Sequence, residues 1–199
     1  MRVALIDSGG ANIGSVRYAL ERLHVETVVT GDADIIRACE RVILPGVGVA
    51  SAGMARLREL GLIEVIRSLV QPVLGICLGM QLLFERSEEG DVACLGLLPG
   101  QVIRLPGTPG IRVPHMGWNS LAFRRESSLL RGLETGVQCY FVHGYAAPVT
   151  ADCIAASAHG IPFAAAVERG NVAGVQFHPE RSGAVGLRIL ANFVNREIP

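Results

Sequence analysis

The sequence predicts an α/β protein built on a single doubly wound, mostly parallel sheet, with helices on both faces and antiparallel additions in the C-terminal half. Three observations predict it. As far as Gln81, short apolar runs alternate with segments of helical period. From Trp118 onward, segments of strand length alternate apolar with polar residues. No linker, repeat or low-complexity stretch interrupts the chain, and its 199 residues suit one compact domain, 1–199.

Residues 3–6 read as a buried strand, and Ile13, Val16, Leu20 and Leu23 then recur at helical spacing. Residues 25–29 and 42–44 read as further strands, with Asp32 the N-cap of a short helix between them. Helices are expected over 50–59 and 62–69, followed by a strand over 73–76. The stretch 99–114 is rich in Pro and Gly. Beyond it, alternating patterns at 118–123, 138–142, 153–157, 163–167 and 172–176 suggest antiparallel additions, and 183–195 closes the chain as an amphipathic helix.

Composition removes several classes of function. Half the residues are hydrophobic, 18% are charged and the net charge is zero, which excludes a basic nucleic-acid binder or a polybasic membrane protein. The apolar run after Met1 is too short for a signal-peptide core, and longer uncharged stretches are broken by Pro, Gly, Gln and His, so a cytoplasmic protein is expected. Five cysteines without a C-x-x-C pair argue against a disulfide framework and a structural zinc site. Cys39, Cys94, Cys139 and Cys153 lack any special setting and read as structural.

Cys77 is different. In Gly75-Ile76-Cys77-Leu78-Gly79-Met80-Gln81 it ends an apolar strand with a glycine two residues to each side, as in a nucleophile elbow. A helix beginning near Leu78 would favour the thiolate. Taken alone, the pattern also suits a small buried hydrophobe. The segment Gln176-Phe177-His178-Pro179-Glu180 shifts the balance, because residues two apart in an extended chain share a face and Glu180 can orient His178. Cysteine, histidine and acid are the parts of a thiol acyl-transfer triad. Pro45-Gly46-Val47-Gly48 follows the strand 42–44 at the same sheet edge, where glycine-flexible backbone can present N–H donors to an oxyanion.

These motifs resemble the class I (triad) glutamine amidotransferases, which hydrolyse the glutamine side-chain amide and pass ammonia to a synthase. Together with Pro114-His115-Met116-Gly117-Trp118-Asn119 and Tyr140-Phe141-Val142-His143, they are similar to the branch that serves as glutaminase subunits of imidazole glycerol phosphate synthases, in histidine biosynthesis. The likeness runs from Ile6-Asp7 and Asn12 to the helix after Glu180.

The resemblance implies that Cys77 attacks the amide carbon, His178 moves the proton and Glu180 holds the imidazole. Gln81 would face the substrate, and the backbone of Gly46, Val47 and Gly48 would supply oxyanion donors. His143 and Gly144 would help bind the amino-acid end of L-glutamine, with Gly144 standing where relatives often carry a hydroxyl. It also implies a cyclase partner of (β/α)8 form in a 1:1 heterodimer, met by Asn12, Met116, Trp118 and Arg181, with no cofactor or metal. Trp118 could equally be a core residue. Arg181 replaces the lysine of many relatives, and the turn Asp7 to Asn12 is a variant of the family's. Two other classes stay open: a stand-alone cysteine hydrolase of peptides or γ-glutamyl compounds, and a silent scaffolding subunit, which leaves Cys77, His178 and Glu180 unexplained.

Overall fold

A computed structural model of the chain describes residues 1–7, 9, 12–107 and 109–196. Its first half follows the expected alternation: β1 (Arg2–Ile6), α1 (Ile13–Glu21), β2 (Glu26–Thr30), α2 (Ala33–Ala38), β3 (Arg41–Gly46), α3 (Ala50–Glu59), α4 (Leu62–Arg67), β4 (Val73–Cys77) and α5 (Leu78–Gln81). Asp32 caps α2 as expected, its carboxylate accepting from the Asp34 and Ile35 N–H groups at 2.8 and 3.1 Å. The variant turn after Asp7 lies partly outside the described residues, at positions 8, 10 and 11.

The second half holds β5 (Arg86–Ser87), β6 (Val92–Ala93), β7 (Gln101–Arg104), β8 (His115–Ser120), β9 (Ala122–Phe123), β10 (Gln138–His143), β11 (Tyr145–Ala146), β12 (Cys153–His159), β13 (Ile161–Arg169), β14 (Val172–Val175) and α6 (Gly183–Val194). The main sheet has the order β2-β1-β3-β4-β14-β13-β12-β9. Pairings from β2 through β14 are parallel, and those from β14 through β9 are antiparallel.

Two details depart from the sequence reading. First, β14 is not an antiparallel addition: it lies parallel beside β4, with Val175 opposite Ile76, and this sets both strands' carboxyl ends at one edge. Second, β8 and β10 leave the main sheet as a two-stranded ribbon, and β11, β7, β5 and β6 make a small sheet of their own, partly within the Pro- and Gly-rich stretch 99–114.

Period-2 alternation divides the core between the two faces of the sheet. Val3 and Leu5 of β1 pack with Val16 and Leu20 of α1 and with Ile189, Leu190 and Phe193 of α6. Ala4 and Ile6 face the other way, onto Ile36 of α2, Met54 and Leu57 of α3 and Leu62 and Ile66 of α4. Among the described residues no helix is long and apolar enough to cross a membrane.

Candidate active site

Cys77 ends β4 at φ +53° and ψ −110°, a conformation that costs a side-chain-bearing residue on the order of 1–3 kcal/mol and persists only where its surroundings enforce it. Glycines let the backbone do so. A Cβ on Gly79 would stand 1.8 Å from the Leu44 carbonyl oxygen, and one on Gly75 would stand 2.6 Å from the Gly79 carbonyl oxygen. The G-x-C-x-G spacing is thus a steric requirement of the elbow. The helix that follows is a single turn, too short for a sizeable macrodipole, so near neighbours and not the helix bear on the sulfur.

His178 is the first of these neighbours. It lies just beyond β14, and its N–H donates to the Tyr140 carbonyl at 2.9 Å. Ser182 completes the tie: its hydroxyl accepts from the Tyr140 N–H at 3.0 Å and donates to the His178 carbonyl at 2.7 Å. Pro179–Arg181 form a 3-10 turn, so it is a turn and not an extended segment that brings Glu180 back under the imidazole. His178 Nδ1 donates to Glu180 Oε1 at 2.8 Å, where the carboxylate side chain is fully buried. Burial favours the neutral ring, but hydrogen bonds to Cys77 and Glu180, with the charges of both, outweigh it and raise His178 to about 10.

A cleft of about 350 Å3 opens over Cys77 and His178, lined also by Asn12, Val47, Gly48, Gln81, Glu89, His143, Gly144 and Arg181. A larger groove of about 1070 Å3, lined by Arg124, Arg131 and Arg169 among others, has no cysteine or histidine in its lining, so size does not mark the chemistry. Gly46 pairs in register with Cys77, and Gly48 at φ +100° lies in the exposed lip of the cleft. The two glycines are not equivalent. An added Cβ at Gly46 would meet the Gly79 nitrogen at 2.9 Å, whereas at Gly48 nothing lies within 4 Å. The conformational freedom expected of both glycines therefore belongs to Gly48, while Gly46 is small because it packs on the elbow.

Several sequence-assigned residues sit in unexpected company. Asn12, assigned to a partner surface, reaches the triad: its Nδ2 donates to Glu180 Oε1 at 2.5 Å and lies 3.2 Å from His178 Nδ1. His143 lines the cleft with both ring nitrogens engaged. Nδ1 donates to the Tyr145 carbonyl at 2.8 Å, so Nε2 accepts from His115 Nδ1 at 2.9 Å, and His115 Nε2 in turn accepts from Asn119 at 3.3 Å. Burial drives both rings neutral, His143 to about 3 and His115 to about 4. The backbone from Val142 to Gly144, rather than an imidazole nitrogen, is what this strand end can offer a ligand.

Met116 and Trp118 stand 64% and 57% exposed on the β8 ribbon, which removes the core reading of Trp118. Trp118 packs edge-to-face on Tyr140, and the Arg181 guanidinium lies 5.1 Å from the other end of that contact, over the Tyr140 ring. Two residues escaped the sequence analysis. Glu89 lines the cleft while its carboxylate accepts from the Ala50 N–H at 2.9 Å; burial pushes that carboxyl up, against the lowering effect of the N–H. Gln176 is fully buried beside Cys77. Its place in the motif with His178 was a signal, but nothing local revealed its contact. The other four cysteines are free and buried, and burial raises all of them, Cys94 to about 11 and Cys139 to about 12.

The chain is similar to known proteins over nearly its whole length. Residues 4–196 match the family described as glutamine amidotransferase class-I. The imidazole glycerol phosphate synthase subunit HisH of Xanthomonas euvesicatoria pv. vesicatoria is 61% identical over 197 residues, covering 99% of this chain and 98% of that protein. The subunit of the same name from Xylella fastidiosa (strain Temecula1) is 58% identical over 98% of both. Among solved structures, PurLQS from Thermotoga maritima superposes with a TM-score of 0.72 at 22% identity, covering 98% of this chain and 97% of that one. A glutamine amidotransferase from Thermotoga maritima gives 0.66 at 20% identity, over 98% and 80%.

Proposed function

Since the chain belongs to the class I glutamine amidotransferase family, we propose that it is the glutaminase subunit of an imidazole glycerol phosphate synthase, acting in histidine biosynthesis. The observation that carries this reading is the chain Cys77–His178–Glu180 at the floor of a cleft large enough for one amino acid, in a protein 61% identical to such a subunit over nearly its whole length. Residues 1–199 act as one catalytic unit.

In the reaction, the Cys77 proton resides on His178 Nε2, which its neighbours hold protonated, and the thiolate attacks the side-chain amide carbon of L-glutamine. The C=O electrons move to oxygen, and backbone N–H groups near Gly46, Val47 and Gly48 stabilise that oxyanion. As the C–N bond breaks, His178 returns its proton to the departing nitrogen and ammonia leaves. Water, deprotonated by His178, then opens the thioester; the C–S bond breaks, glutamate leaves, and the Cys77–His178 pair is regenerated. Glu180 Oε1 holds His178 Nδ1–H throughout, with Asn12 holding the same oxygen. Gln81 has both N–H groups engaged and can offer a ligand only its Oε1, an acceptor. The Glu89 carboxylate suits the substrate's ammonium, and the backbone of Val142 to Gly144 its carboxylate end.

Ammonia reacts only unprotonated, so a cyclase subunit of (β/α)8 form docked over the cleft in a 1:1 heterodimer would keep it from bulk water. Met116, Trp118 and Arg181, with Val47 and Val49 exposed at the lip, form the surface for it; Trp and Arg are frequent energetic anchors of interfaces. The test is glutamate release by the chain alone, with the cyclase, and with the cyclase and its nucleotide-like substrate. Partner-dependent turnover specific for glutamine is expected; full activity alone on γ-glutamyl peptides would instead identify an independent cysteine hydrolase.

A further inference from the structure

We infer that Gln176 is a catalytic residue whose carboxamide N–H stabilises the Cys77 thiolate, in an orientation dictated by a hydrogen-bond chain that begins at the Tyr145 carbonyl. The inference rests on Cys77 being the nucleophile.

The chain has a forced direction. A backbone carbonyl can only accept, so Gln81 must turn its Nε2 towards the Tyr145 oxygen, 2.8 Å away. The second proton of that same nitrogen points to Gln176, at 2.9 Å from Oε1. Gln176 is thereby fixed with its oxygen on Gln81 and its Nε2 on Cys77 Sγ, at 3.8 Å. A flip of Gln81 would set its oxygen against two acceptors, and a flip of Gln176 would set its Nε2 against the Gln81 Nε2, donor against donor. Full burial of Gln176 and near-full burial of Gln81 exclude water as a substitute partner, which makes such a mismatch costly.

This direction matters because the sulfur has a second polar neighbour of opposite kind. As a thiol, Cys77 can donate to the Val142 carbonyl at 3.7 Å. When its proton passes to His178 Nε2, the sulfur keeps the electron pair and faces that carbonyl oxygen as a like partial charge. The Gln176 N–H then becomes the donor that the thiolate requires. The neutral thiol and the thiolate are thus served by two different groups, and the Gln176 contact strengthens with charge on the sulfur, so it raises the fraction of Cys77 in the nucleophilic form. Tyr145 O also accepts from His143 Nδ1, so the same oxygen fixes the neutral histidine pair and the donor to the nucleophile.

The test is the pH dependence of Cys77 alkylation by iodoacetamide in the full-length chain, with the modified residue located by mass spectrometry. Thiolate absorbance, taken as the difference from Cys77→Ala, gives a second readout. Gln176→Met removes the donor at similar volume and should shift the profile to higher pH by about one unit, equivalent to about tenfold slower alkylation at neutral pH. Gln81→Leu, which frees the Gln176 amide to turn, should shift it the same way by less, and it decides the matter if Gln176→Met does not fold. A folded Gln176→Met, or failing that a folded Gln81→Leu, with a profile superimposable on wild type would overturn the inference. A wild-type Cys77 that resists alkylation while another cysteine reacts would instead overturn the nucleophile assignment on which it rests.

Discussion

Acidification should unfold this protein through two histidines that take no part in the reaction. His115 and His143 are about 5% and 6% exposed and held neutral by burial, His115 to about 4 and His143 to about 3. Unfolded, each would titrate near 6.5. Below that pH the unfolded chain therefore binds protons that the native state refuses, and stability falls as pH falls. Between pH 7.5 and pH 5 each ring loses about 2 kcal/mol, or about 4 kcal/mol for the pair. At this chain length that is a drop of about 10 °C in Tm. Glu89 and His178 work in the opposite sense, because both are raised: Glu89 gains a proton in the native state on acidification, and His178 already holds one that the unfolded chain binds only near pH 6.5. The clean measurement is therefore a difference: urea unfolding of wild type and His115→Gln at pH 7.5, 6.5, 5.5 and 5.0. The variant should start less stable at pH 7.5 and lose about 2 kcal/mol less than wild type on acidification. Equal acid slopes in the two proteins would refute the argument, as would a flat wild-type curve down to pH 5.

Other outcomes follow from the site. Cys77→Ala should abolish glutamine-dependent synthesis by the complex and leave synthesis from added ammonia intact, measured side by side. His178→Ala should lose at least about a thousandfold in glutamate release, and Glu180→Gln markedly less, because the second residue orients and the first transfers protons. Gly48→Ala should fold and slow partner-stimulated turnover by about tenfold, since φ +100° resists a side chain; Gly46→Ala should instead lower Tm, because its Cβ meets the Gly79 nitrogen. Trp118→Ala should leave unfolding within about 0.5 kcal/mol of wild type yet weaken cyclase binding by about thirtyfold or more, read by titration calorimetry.

What the sequence revealed depended on how local the physics is. The elbow was legible because its steric demand falls on Gly75 and Gly79, each two residues from Cys77. His178 and Glu180 were legible because one turn brings them together. Asn12 was assigned a different task, since its contact with the triad spans 166 residues and no neighbour announces it. Gln176 and Glu89 escaped for the same reason. The direction of β14 was misread because an alternating apolar pattern records which face of a strand is buried and not which way its neighbour runs. The small sheet of β5, β6, β7 and β11 includes strands of two residues, below the length at which any period can register.

The division between rigid and adjustable parts of the site says where control can enter. Cys77 is pinned by contacts that tolerate no added atom, with the Leu44 oxygen on one side and the Gly79 backbone on the other. Its thiolate donor is buried and fixed in direction by a backbone carbonyl. The nucleophile is therefore a poor point of regulation. Two adjacent features are different in kind. The lip from Val47 to Val49 is exposed, and Gly48 has open space around it. The turn that carries His178 and Glu180 is tied through Ser182 and Tyr140 to a ribbon whose outer face bears the exposed Trp118. A partner seated on that ribbon would touch both the oxyanion side and the base side of the cleft without having to move Cys77. On the proposed docking, coupling of synthesis to glutamine hydrolysis needs only small displacements of a loop and a turn.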